Sequence, residues 1–375
     1  MNILNIYKTY FPDPTGGLQE AIRQICRTTS RVGVKNTIFT LTPNLERKII
    51  EFPEAKVVRE KSWFAPASCD ISGPGSLKTY STLAMQADII HFFYPWPYAD
   101  LLNLLAPSKK PKVLTYISDV VQQKFLNKLY APLMWRTLDQ MDVIVANCEA
   151  YARTSPILSH PSIRDKVRII PLGIDESSLP AANELMPDMR YKLVSLHSGE
   201  PYFLFIGVHR YYKGLHTLIK ASKLCSAKVL IAGSGPKTAE LKLLAQQMGA
   251  SNVIFLGQVS DIEKMSLIAG CCALILPSHL RSEAYGMVLV EASILGKPMI
   301  SCEIGTGTSF INLDGITGIV IPPESELKLA EAMNLLLNNS VLTAQMGGFA
   351  RKRYEEFFSG KVLGDSYAKL FNELA

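Results

Sequence analysis

The chain has 375 residues, of which 48% are hydrophobic and 19% are charged. Such a chain is long enough for two domains of ordinary size and too apolar to be intrinsically disordered. Its 39 basic and 33 acidic residues leave a net charge of +6, which suits an anionic ligand or membrane but equally an ordinary solvated surface. The seven cysteines form no Cys-x-x-Cys pair, so they predict buried thiols in a reducing compartment and no metal site.

The N-terminus enters a strand pattern directly and lacks the basic segment and cleavage site of a signal peptide. No apolar run is long enough to span a bilayer. These two features predict a cytoplasmic protein.

Apolar runs typical of buried strands recur along the chain, with amphipathic segments between them. The first set predicts strands at 3–7, 37–41, 87–93, 112–117, 142–146 and 167–172. After a polar stretch at 175–200, a second set predicts strands at 202–207, 228–232, 252–256, 273–276, 298–301 and 318–321. Strands that alternate with helices predict parallel sheets, and two such sets predict two doubly wound α/β domains. Ligands bind at the carboxyl ends of such strands, so we expect the site in a cleft between the domains.

Two adjacent glycines, Gly16 and Gly17, lie between the first strand and an amphipathic helix that extends to about residue 32. Glycines at a helix start let a ligand approach the backbone and leave amide donors free. A tight turn needs glycines just as much, so both interpretations remain open. Further on, the aromatic and proline-rich segment 92–100 follows a strand. Its side chains either pack within the loop or form a surface for the acceptor.

A helix is predicted over 122–141, because its apolar residues share one face: Phe125, Leu129, Leu133, Met134, Leu138 and Met141. Basic and aromatic residues lie between them: Lys124, Lys128, Tyr130, Trp135 and Arg136. This pattern fits a core-packing helix with a solvated basic face, and it also fits a helix that lies on an anionic membrane.

In the second half, a strand and a glycine turn at Gly207 precede Arg210 and Lys213 at the start of a helix. Two cations there would oppose the helix dipole, so a bound diphosphate explains them better than simple surface exposure does. The Gly-x-Gly turn at 233–235 lacks the third glycine and the acidic residue of a dinucleotide fingerprint, so it is poor evidence for NAD.

Two carboxylates, Glu283 and Glu291, follow the strand at 273–276. We predict a loop and then a helix over 284–295 that ends at Gly296, which would turn both carboxylates toward the helix's amino end. The backbone donors of residues 285–288 would point to the same place and suit a phosphate. A ligand with both hydroxyls and phosphates, such as a nucleotide-sugar, fits this combination.

The segment Arg281-Ser-Glu-Ala-Tyr-Gly-Met-Val-Leu-Val-Glu-Ala292, followed by Gly-Lys-Pro, resembles the donor-site motif of retaining GT-B glycosyltransferases of family GT4. The likeness is closest to bacterial polysaccharide and O-antigen mannosyltransferases, and the segment 305–312 is similar to one found in mannosyltransferase members. The resemblance implies the GT-B fold, with two Rossmann-like domains that face each other across a cleft. We expect an acceptor domain at 1–180, a donor domain at 195–355, and a last helix at 356–375 that crosses back to the first domain.

The resemblance also assigns roles to individual residues. Catalytic roles fall on four side chains: Glu283, Lys213, Arg210 and Asp119. Donor-binding roles fall on the second carboxylate and on backbone near two loops: Glu291, Gly286, Met287, Val288 and Gly207. Gly16 and Gly17 would form the acceptor or phosphate loop. The family's usual arginine position, directly after the glycine, is here Val208, so Arg210 is a less direct match than Lys213.

One position departs from the family pattern. Relatives usually carry a histidine near the reacting sugar where this chain has Ile117, which offers no proton and no hydrogen bond. Either His91, Ser118 or Asp119 takes over that role, or the site handles its sugar differently.

The resemblance implies a retaining transferase that moves a hexose, mannose from GDP-mannose, to a growing lipid-linked polysaccharide or O-antigen. No Asp-x-Asp motif occurs, so we expect no metal cofactor, with cationic side chains in its place. The expected partners are a nucleotide-sugar, a glycan acceptor and the inner, anionic face of the cell membrane, but no nucleic acid. The alternatives are a UDP-sugar-dependent GT4 transferase, a nucleotide-sugar 2-epimerase on the same fold, and a non-catalytic glycan- or nucleotide-binding protein.

Overall fold

The computed structural model describes residues 1–13, 16–65, 69–119, 124–181, 184 and 200–375, without the side chains of 124–129. The chain divides into two compact units. The first comprises Met1–Asp175 together with Gly360–Ala375, and the second comprises Glu176–Ser359. Most of the polar stretch predicted at 175–200 lies outside the described residues.

The first unit contains an eight-stranded sheet. Its strands are β1 (Asn2–Ile6), β2 (Lys35–Thr42), β3 (Ile49–Glu51), β4 (Lys56–Lys61), β5 (Ile89–Tyr94), β6 (Lys112–Tyr116), β7 (Val143–Ala146) and β8 (Val167–Ile169). They lie in the order β3-β4-β2-β1-β5-β6-β7-β8, and only the β3–β4 pair is antiparallel. The six predicted strands of this half are confirmed. The order reverses beside β1, so the loops after β1 and β5 meet at the switch point, where open α/β sheets bind ligands.

The sequence analysis missed β3 and β4. Strand β4 carries four charged residues among six, so it lacks the apolar run that revealed the other strands. The structure nevertheless buries Val57, Val58 and Arg59 against β2.

The helices of the first unit alternate with its strands along most of the chain. They are α1 (Gly17–Arg31), α2 (Pro74–Gln86), α3 (Pro97–Leu105), α4 (Lys124–Asp139), α5 (Glu149–Thr154) and α13 (Gly360–Leu374). The last of these packs on α1, where a side chain at Gly364 would come within 2.9 Å of the Thr28 carbonyl oxygen. The C-terminal helix is therefore part of the first unit.

Helix α13 covers His91 in β5. The His91 ring lies between Asn5 Oδ1, 3.1 Å from Nδ1, and Thr115 Oγ1, 2.7 Å from Nε2. The ring of Tyr367 in α13 lies 5.6 Å away, centre to centre. His91 has no exposed surface, and burial lowers its pKa to about 3. A role for His91 in place of the family histidine is therefore wrong, because a ligand cannot reach it.

The described part of helix α4 confirms the predicted apolar inward face, since Met134 and Leu138 are buried. Tyr130 does not belong to the outer face, because its hydroxyl donates a hydrogen bond to the buried carboxylate of Asp100 in α3. Trp135 is half-buried beside His160, and Arg136 is exposed. Of the other residues predicted for the two faces, Leu133 is half-buried and Met141 is buried, and the side chains of Lys124, Phe125, Lys128 and Leu129 lie outside the description.

The second unit contains a six-stranded, all-parallel sheet. Its strands are β9 (Tyr202–Ile206), β10 (Lys228–Ala232), β11 (Val253–Gly257), β12 (Ala273–Leu276), β13 (Met299–Cys302) and β14 (Gly318–Ile321). All six confirm the predicted positions. The order is β11-β10-β9-β12-β13-β14, so the switch point lies between the carboxyl ends of β9 and β12.

The helices of the second unit are α6 (Leu215–Ser222), α7 (Thr238–Gln247), α8 (Asp261–Gly270), α9 (Met287–Ile294), α10 (Thr308–Ile311), α11 (Glu326–Asn338) and α12 (Ser340–Arg353). Helix α9 begins three residues later than predicted, because Gly286 has a φ of 91° and the chain before it is a loop. No helix among the described residues is long and apolar enough to cross a membrane.

Candidate active site

The loops after β9 and β12 meet through the backbone. The amide of His279, in the loop after β12, donates a 2.9 Å hydrogen bond to the carbonyl of Tyr212, in the turn after β9. Between them, Gly214 has a φ of 69°, and a Cβ on it would lie 1.9 Å from the Pro277 carbonyl oxygen. The glycine after Lys213 is therefore required by the close approach of these two loops.

Lys213 and Glu283 form an ion pair across this contact. The ammonium donates to Oε2 of Glu283, and Ser278 Oγ donates to the same oxygen at 2.9 Å. Only 12% of the Lys213 side chain and 9% of the Glu283 side chain are exposed. The structure thus brings together two residues that are 70 positions apart in the sequence.

The partners of this pair keep Lys213 protonated. Burial by itself lowers the Lys213 pKa, but the Glu283 carboxylate and the Tyr212 hydroxyl together more than reverse this, so the net pKa is raised. Oε1 of Glu283 accepts no hydrogen bond from the described residues. An ammonium has three donors, so the pair retains one free acceptor and further donors for a ligand.

Arg210 and Gly207 flank Lys213 on the β9 side. Arg210 is exposed, has no ion-pair partner among the described residues, and lies close enough to Lys213 to lower its pKa slightly. The amide of Gly207 donates to the Ala232 carbonyl at 3.1 Å. The Gly207 amide therefore continues the hydrogen bonding between β9 and β10. The positive charge here comes from the side chains of Arg210 and Lys213.

The first turn of α9 begins at the same edge of the sheet. Gly286 is its N-cap, and Met287 and Val288 are half-buried residues of the first turn, whose amides have no intrahelical acceptors. These backbone groups follow Glu283 by only a few residues. The first turn of α9, with its free amide donors, therefore lies only a few residues after Glu283 in the chain.

Glu291 has a different partner. Its Oε1 lies 2.8 Å from Nζ of Lys264 in α8, and Lys264 also lies 3.1 Å from Asp261. The Glu291 side chain is 13% exposed. The sequence analysis did not identify Lys264, because nothing in the spacing of α8 indicates which lysine faces α9.

The loop between β13 and α10 packs on the loop before α9. The Gly307 amide donates to the Ala284 carbonyl at 3.0 Å, and Arg281 Nη1 donates to the Gly305 carbonyl at 2.8 Å. Asn312, at the end of this segment, is buried and bonds to Ser301 Oγ at 2.9 Å. The segment that resembles mannosyltransferases thus supports the Glu283 loop at one end and the strands at the other.

In the first unit, Gly16 and Gly17 begin α1 at the switch point after β1. Gln19 accepts a 3.0 Å hydrogen bond from the Gly16 amide, and its own amide nitrogen donates to Thr9 Oγ1 at 2.7 Å. Both glycines are exposed, and a Cβ on Gly17 would meet nothing within 4 Å. The protein's own packing therefore does not require glycine at position 17.

The chain before these glycines is anchored by a residue that the sequence analysis missed. Arg59 in β4 is buried, and its Nη2 bonds to both carboxylate oxygens of Asp13, at 2.9 and 3.0 Å. Only the pairing of β4 with β2 brings this arginine to the loop.

Asp119 lies after β6 in a hydrogen-bonded network. Its Oδ1 accepts from Tyr116 Oη at 3.0 Å and from Ser155 Oγ at 2.7 Å, and its amide donates to Tyr151 Oη at 2.6 Å. The neighbouring Ile117 is buried. Asp119 is half-exposed, so it is held in place by the protein and remains accessible to a ligand.

Two family models match the chain in succession. Residues 15–178 match the model described as Glycosyltransferase Family 4, and residues 192–353 match Glycosyl transferases group 1. The chain is also 39% identical to the O-antigen chain mannosyltransferase C of Escherichia coli, over 100% of this chain and 99% of that protein. The chain belongs to the GT4 family of glycosyltransferases. It is 40% identical to the D-rhamnosyltransferase WbpZ of Pseudomonas aeruginosa, over 96% of this chain and 92% of that protein.

The fold of this glycosyltransferase is also found among solved structures. Sucrose-phosphate synthase from Thermosynechococcus elongatus superposes with a TM-score of 0.80 at 22% identity, over 100% of this chain and 98% of that structure. The GT-B fold expected from the donor-site motif is thereby confirmed.

Proposed function

We propose that this glycosyltransferase is a retaining enzyme that transfers mannose from GDP-mannose to a growing, lipid-linked O-antigen or polysaccharide. The observation that carries the proposal is the Lys213–Glu283 ion pair at the switch point of the second unit. Near-equal identity to a mannosyltransferase and a D-rhamnosyltransferase supports a donor sugar of the manno configuration. D-rhamnose is 6-deoxymannose, so the two sugars differ only at C6.

In this mechanism, Lys213 and Arg210 stabilise the negative charge that grows on the leaving diphosphate. The buried Lys213, whose pKa is raised by Glu283, is preorganised for that task, and a fixed charge in a water-poor site needs no reorganisation as the bond breaks. The amides of Met287 and Val288 share the load through the N-terminal end of α9.

Glu283 holds the transferred sugar. Its Oε2 is occupied by Lys213 and Ser278, which leaves Oε1 to accept a hydrogen bond from a sugar hydroxyl and to favour an oxocarbenium-like transition state. Glu291 binds the ribose hydroxyls while Lys264 holds its carboxylate in place. Asp119, whose carboxylate accepts hydrogen bonds from Tyr116 and Ser155, takes a catalytic role, and Gly16 and Gly17 form the acceptor or phosphate loop. No metal cofactor takes part in this scheme.

A donor panel tests the proposal. GDP-mannose, GDP-D-rhamnose, UDP-glucose and UDP-N-acetylglucosamine are each added to the protein, and the melting temperature is measured. The true donor raises the melting temperature in proportion to the logarithm of its excess over Kd. We expect GDP-mannose to give the largest shift. A larger shift with a UDP-sugar would replace the GDP-mannose assignment by the UDP-dependent alternative.

The epimerase alternative requires a second measurement. Each nucleotide-sugar that binds is incubated with the enzyme in the absence of acceptor, and its sugar is analysed for inversion at C2. A transferase leaves the sugar intact apart from slow hydrolysis, whereas an epimerase converts it. Binding without either transfer or conversion, when acceptor is supplied, would point to the non-catalytic alternative.

A further inference from the structure

Two histidines and a glutamate from three separate loops lie together at the carboxyl edge of the second unit's sheet. His216 is the second residue of α6 after β9, His279 follows β12, and Glu324 follows β14. One nitrogen or oxygen atom from each lies within 4.8 Å of the other two. None of the three has a role in the donor chemistry proposed above.

The geometry of this cluster is close to that of a metal site. Nε2 of His216 and Nε2 of His279 each lie 3.9 Å from Oε1 of Glu324, and the two imidazole rings are nearly perpendicular, at 86°. Around a tetrahedral ion with bonds of about 2.0 Å, neighbouring ligand atoms lie about 3.3 Å apart. A small side-chain rotation therefore brings the three ligand atoms to the spacing that one ion requires. Glu324 is exposed and has room to make this rotation.

His279 supplies an independent indication of a ligand. Its side chain is 1% exposed, and neither of its ring nitrogens has a hydrogen-bond partner among the described residues. Buried polar groups are almost always paired, so an unpaired buried imidazole calls for a specific explanation. A cation bound at Nε2 provides one.

The electrostatics of the cluster suit a cation. Burial lowers the pKa of both histidines, and at His216 the neighbouring His279 lowers it further. Glu324 raises both pKa values and so partly opposes this shift. Glu324 contributes the negative charge and is held at a φ of 57°, a left-handed conformation that is uncommon outside glycine.

We propose that His216, His279 and Glu324 bind one divalent transition-metal ion of the Zn²⁺ type. Two imidazole nitrogens and one carboxylate oxygen suit zinc and its first-row neighbours, whereas Mg²⁺ and Ca²⁺ prefer oxygen ligands throughout. Three protein ligands leave a fourth position for water. The ion would tie together the loops after β9, β12 and β14, outside the leaving-group chemistry assigned to Lys213 and Arg210.

Calorimetric titration of the full chain with Zn²⁺ in a non-chelating buffer tests the proposal. We expect one saturable site per chain and a rise in melting temperature on saturation. The informative variants are His216→Gln and Glu324→Gln, whose side chains are 26% and 59% exposed, so that both should fold. Each should weaken Zn²⁺ binding by about tenfold or more and remove most of the rise in melting temperature.

His160→Gln serves as the matched control, because it removes an exposed histidine of the first unit and should bind Zn²⁺ like the wild type. All variants keep the seven free cysteines, so zinc held by thiols would persist in each of them. Unchanged Zn²⁺ affinity in both cluster variants, or no saturable binding by the wild type, would overturn the proposal. The readout is metal binding, so its result does not depend on the donor or the acceptor.

Discussion

At the scale of single residues, Lys213 carries the largest predicted effect. We expect Lys213→Ala to lower kcat by two to three orders of magnitude, because removal of a preorganised charge stabiliser typically costs about that much. Steady-state kinetics with saturating donor measure it. A variant within a few-fold of wild type would exclude the leaving-group role.

The matched control is Lys237→Ala, which removes an exposed lysine that pairs with Glu240 in the same unit. It should retain wild-type turnover. Lys213→Ala also leaves the Glu283 carboxylate buried without its cation, at a cost of about 3–5 kcal/mol. The melting temperatures of both variants therefore accompany the kinetics, and assays are run well below the lower one.

The two carboxylates should have different kinetic effects. Glu283→Gln should lower kcat more than it raises the donor KM, because its contact with the sugar strengthens as the bond breaks. Glu291→Gln should mainly raise the donor KM, because a ribose contact is the same in the ground state and the transition state. Donor-saturation curves separate the two outcomes. Wild-type kcat for Glu283→Gln at saturating donor would show that the reacting end is assigned wrongly.

The ion pair between Glu291 and Lys264 provides the control for the ribose assignment. Lys264→Met removes the cation but leaves the carboxylate. If Glu291 only pairs with Lys264, the two variants should change the melting temperature and the donor KM alike. A clearly larger KM for Glu291→Gln than for Lys264→Met supports direct contact with the donor.

Asp100 should make stability depend on pH. Burial raises its pKa from 3.8 to about 7, while its hydrogen bond from Tyr130 partly opposes the shift. Between about pH 4 and 7 the folded state keeps a proton that the unfolded state releases, so this residue's contribution to stability falls as pH rises. His91, whose pKa is lowered to about 3, acts in the opposite direction over an overlapping range.

Asp100→Asn isolates the effect, because asparagine keeps an acceptor for Tyr130 and cannot ionise. The free energy of unfolding is measured by urea denaturation at pH 4 and at pH 7. The wild type should lose more stability than Asp100→Asn over this interval, by an amount on the order of a few kcal/mol. Equal losses in the two proteins would show that Asp100 titrates normally.

At the scale of elements, a substitution at the start of α1 distinguishes a role in function from a role in folding. Gly17→Ala should leave stability unchanged or raise it by up to about 1 kcal/mol, since alanine favours helix and its methyl group meets no neighbour. Transfer should nevertheless fall sharply, because the methyl group would lie where the acceptor or phosphate approaches the backbone. Gly75→Ala, at the start of α2 with equally open surroundings, is the control and should retain full activity.

Melting temperature and kcat/KM for the acceptor are measured for both glycine variants. Loss of stability at Gly17→Ala would indicate a structural turn, which the open surroundings of Gly17 do not predict. Full activity with unchanged stability would remove Gly17 from the acceptor loop.

At the scale of the whole molecule, the net charge of +6 and the basic part of α4 together predict binding to anionic membranes. Flotation with anionic liposomes should recover the protein, and recovery should fall as salt rises. Arg136→Glu should weaken recovery more than Lys328→Glu, which makes the same change of charge at an exposed position of the other unit. Equal recovery with neutral and anionic vesicles would contradict the prediction.

The alternating apolar runs of the sequence predicted the α/β class and all the strands of the two sheets except β3 and β4. These strands are local features, because a parallel strand that is buried on both faces forms a nearly continuous apolar run. Lys213 and Glu283 were identifiable as candidates because each lies in the loop after such a strand. The start of α9 was predicted too early because a helix pattern alone does not reveal the left-handed Gly286.

Only the tertiary structure decided which residues meet. The pairs Lys213–Glu283, Lys264–Glu291 and Asp13–Arg59 join residues that lie far apart in the chain, and strand order and register bring them together. It likewise placed His91 under α13 and gathered His216, His279 and Glu324 from three loops. None of these contacts has a local pattern, because a contact between distant residues depends on the geometry of the sheet and leaves no periodicity in the sequence.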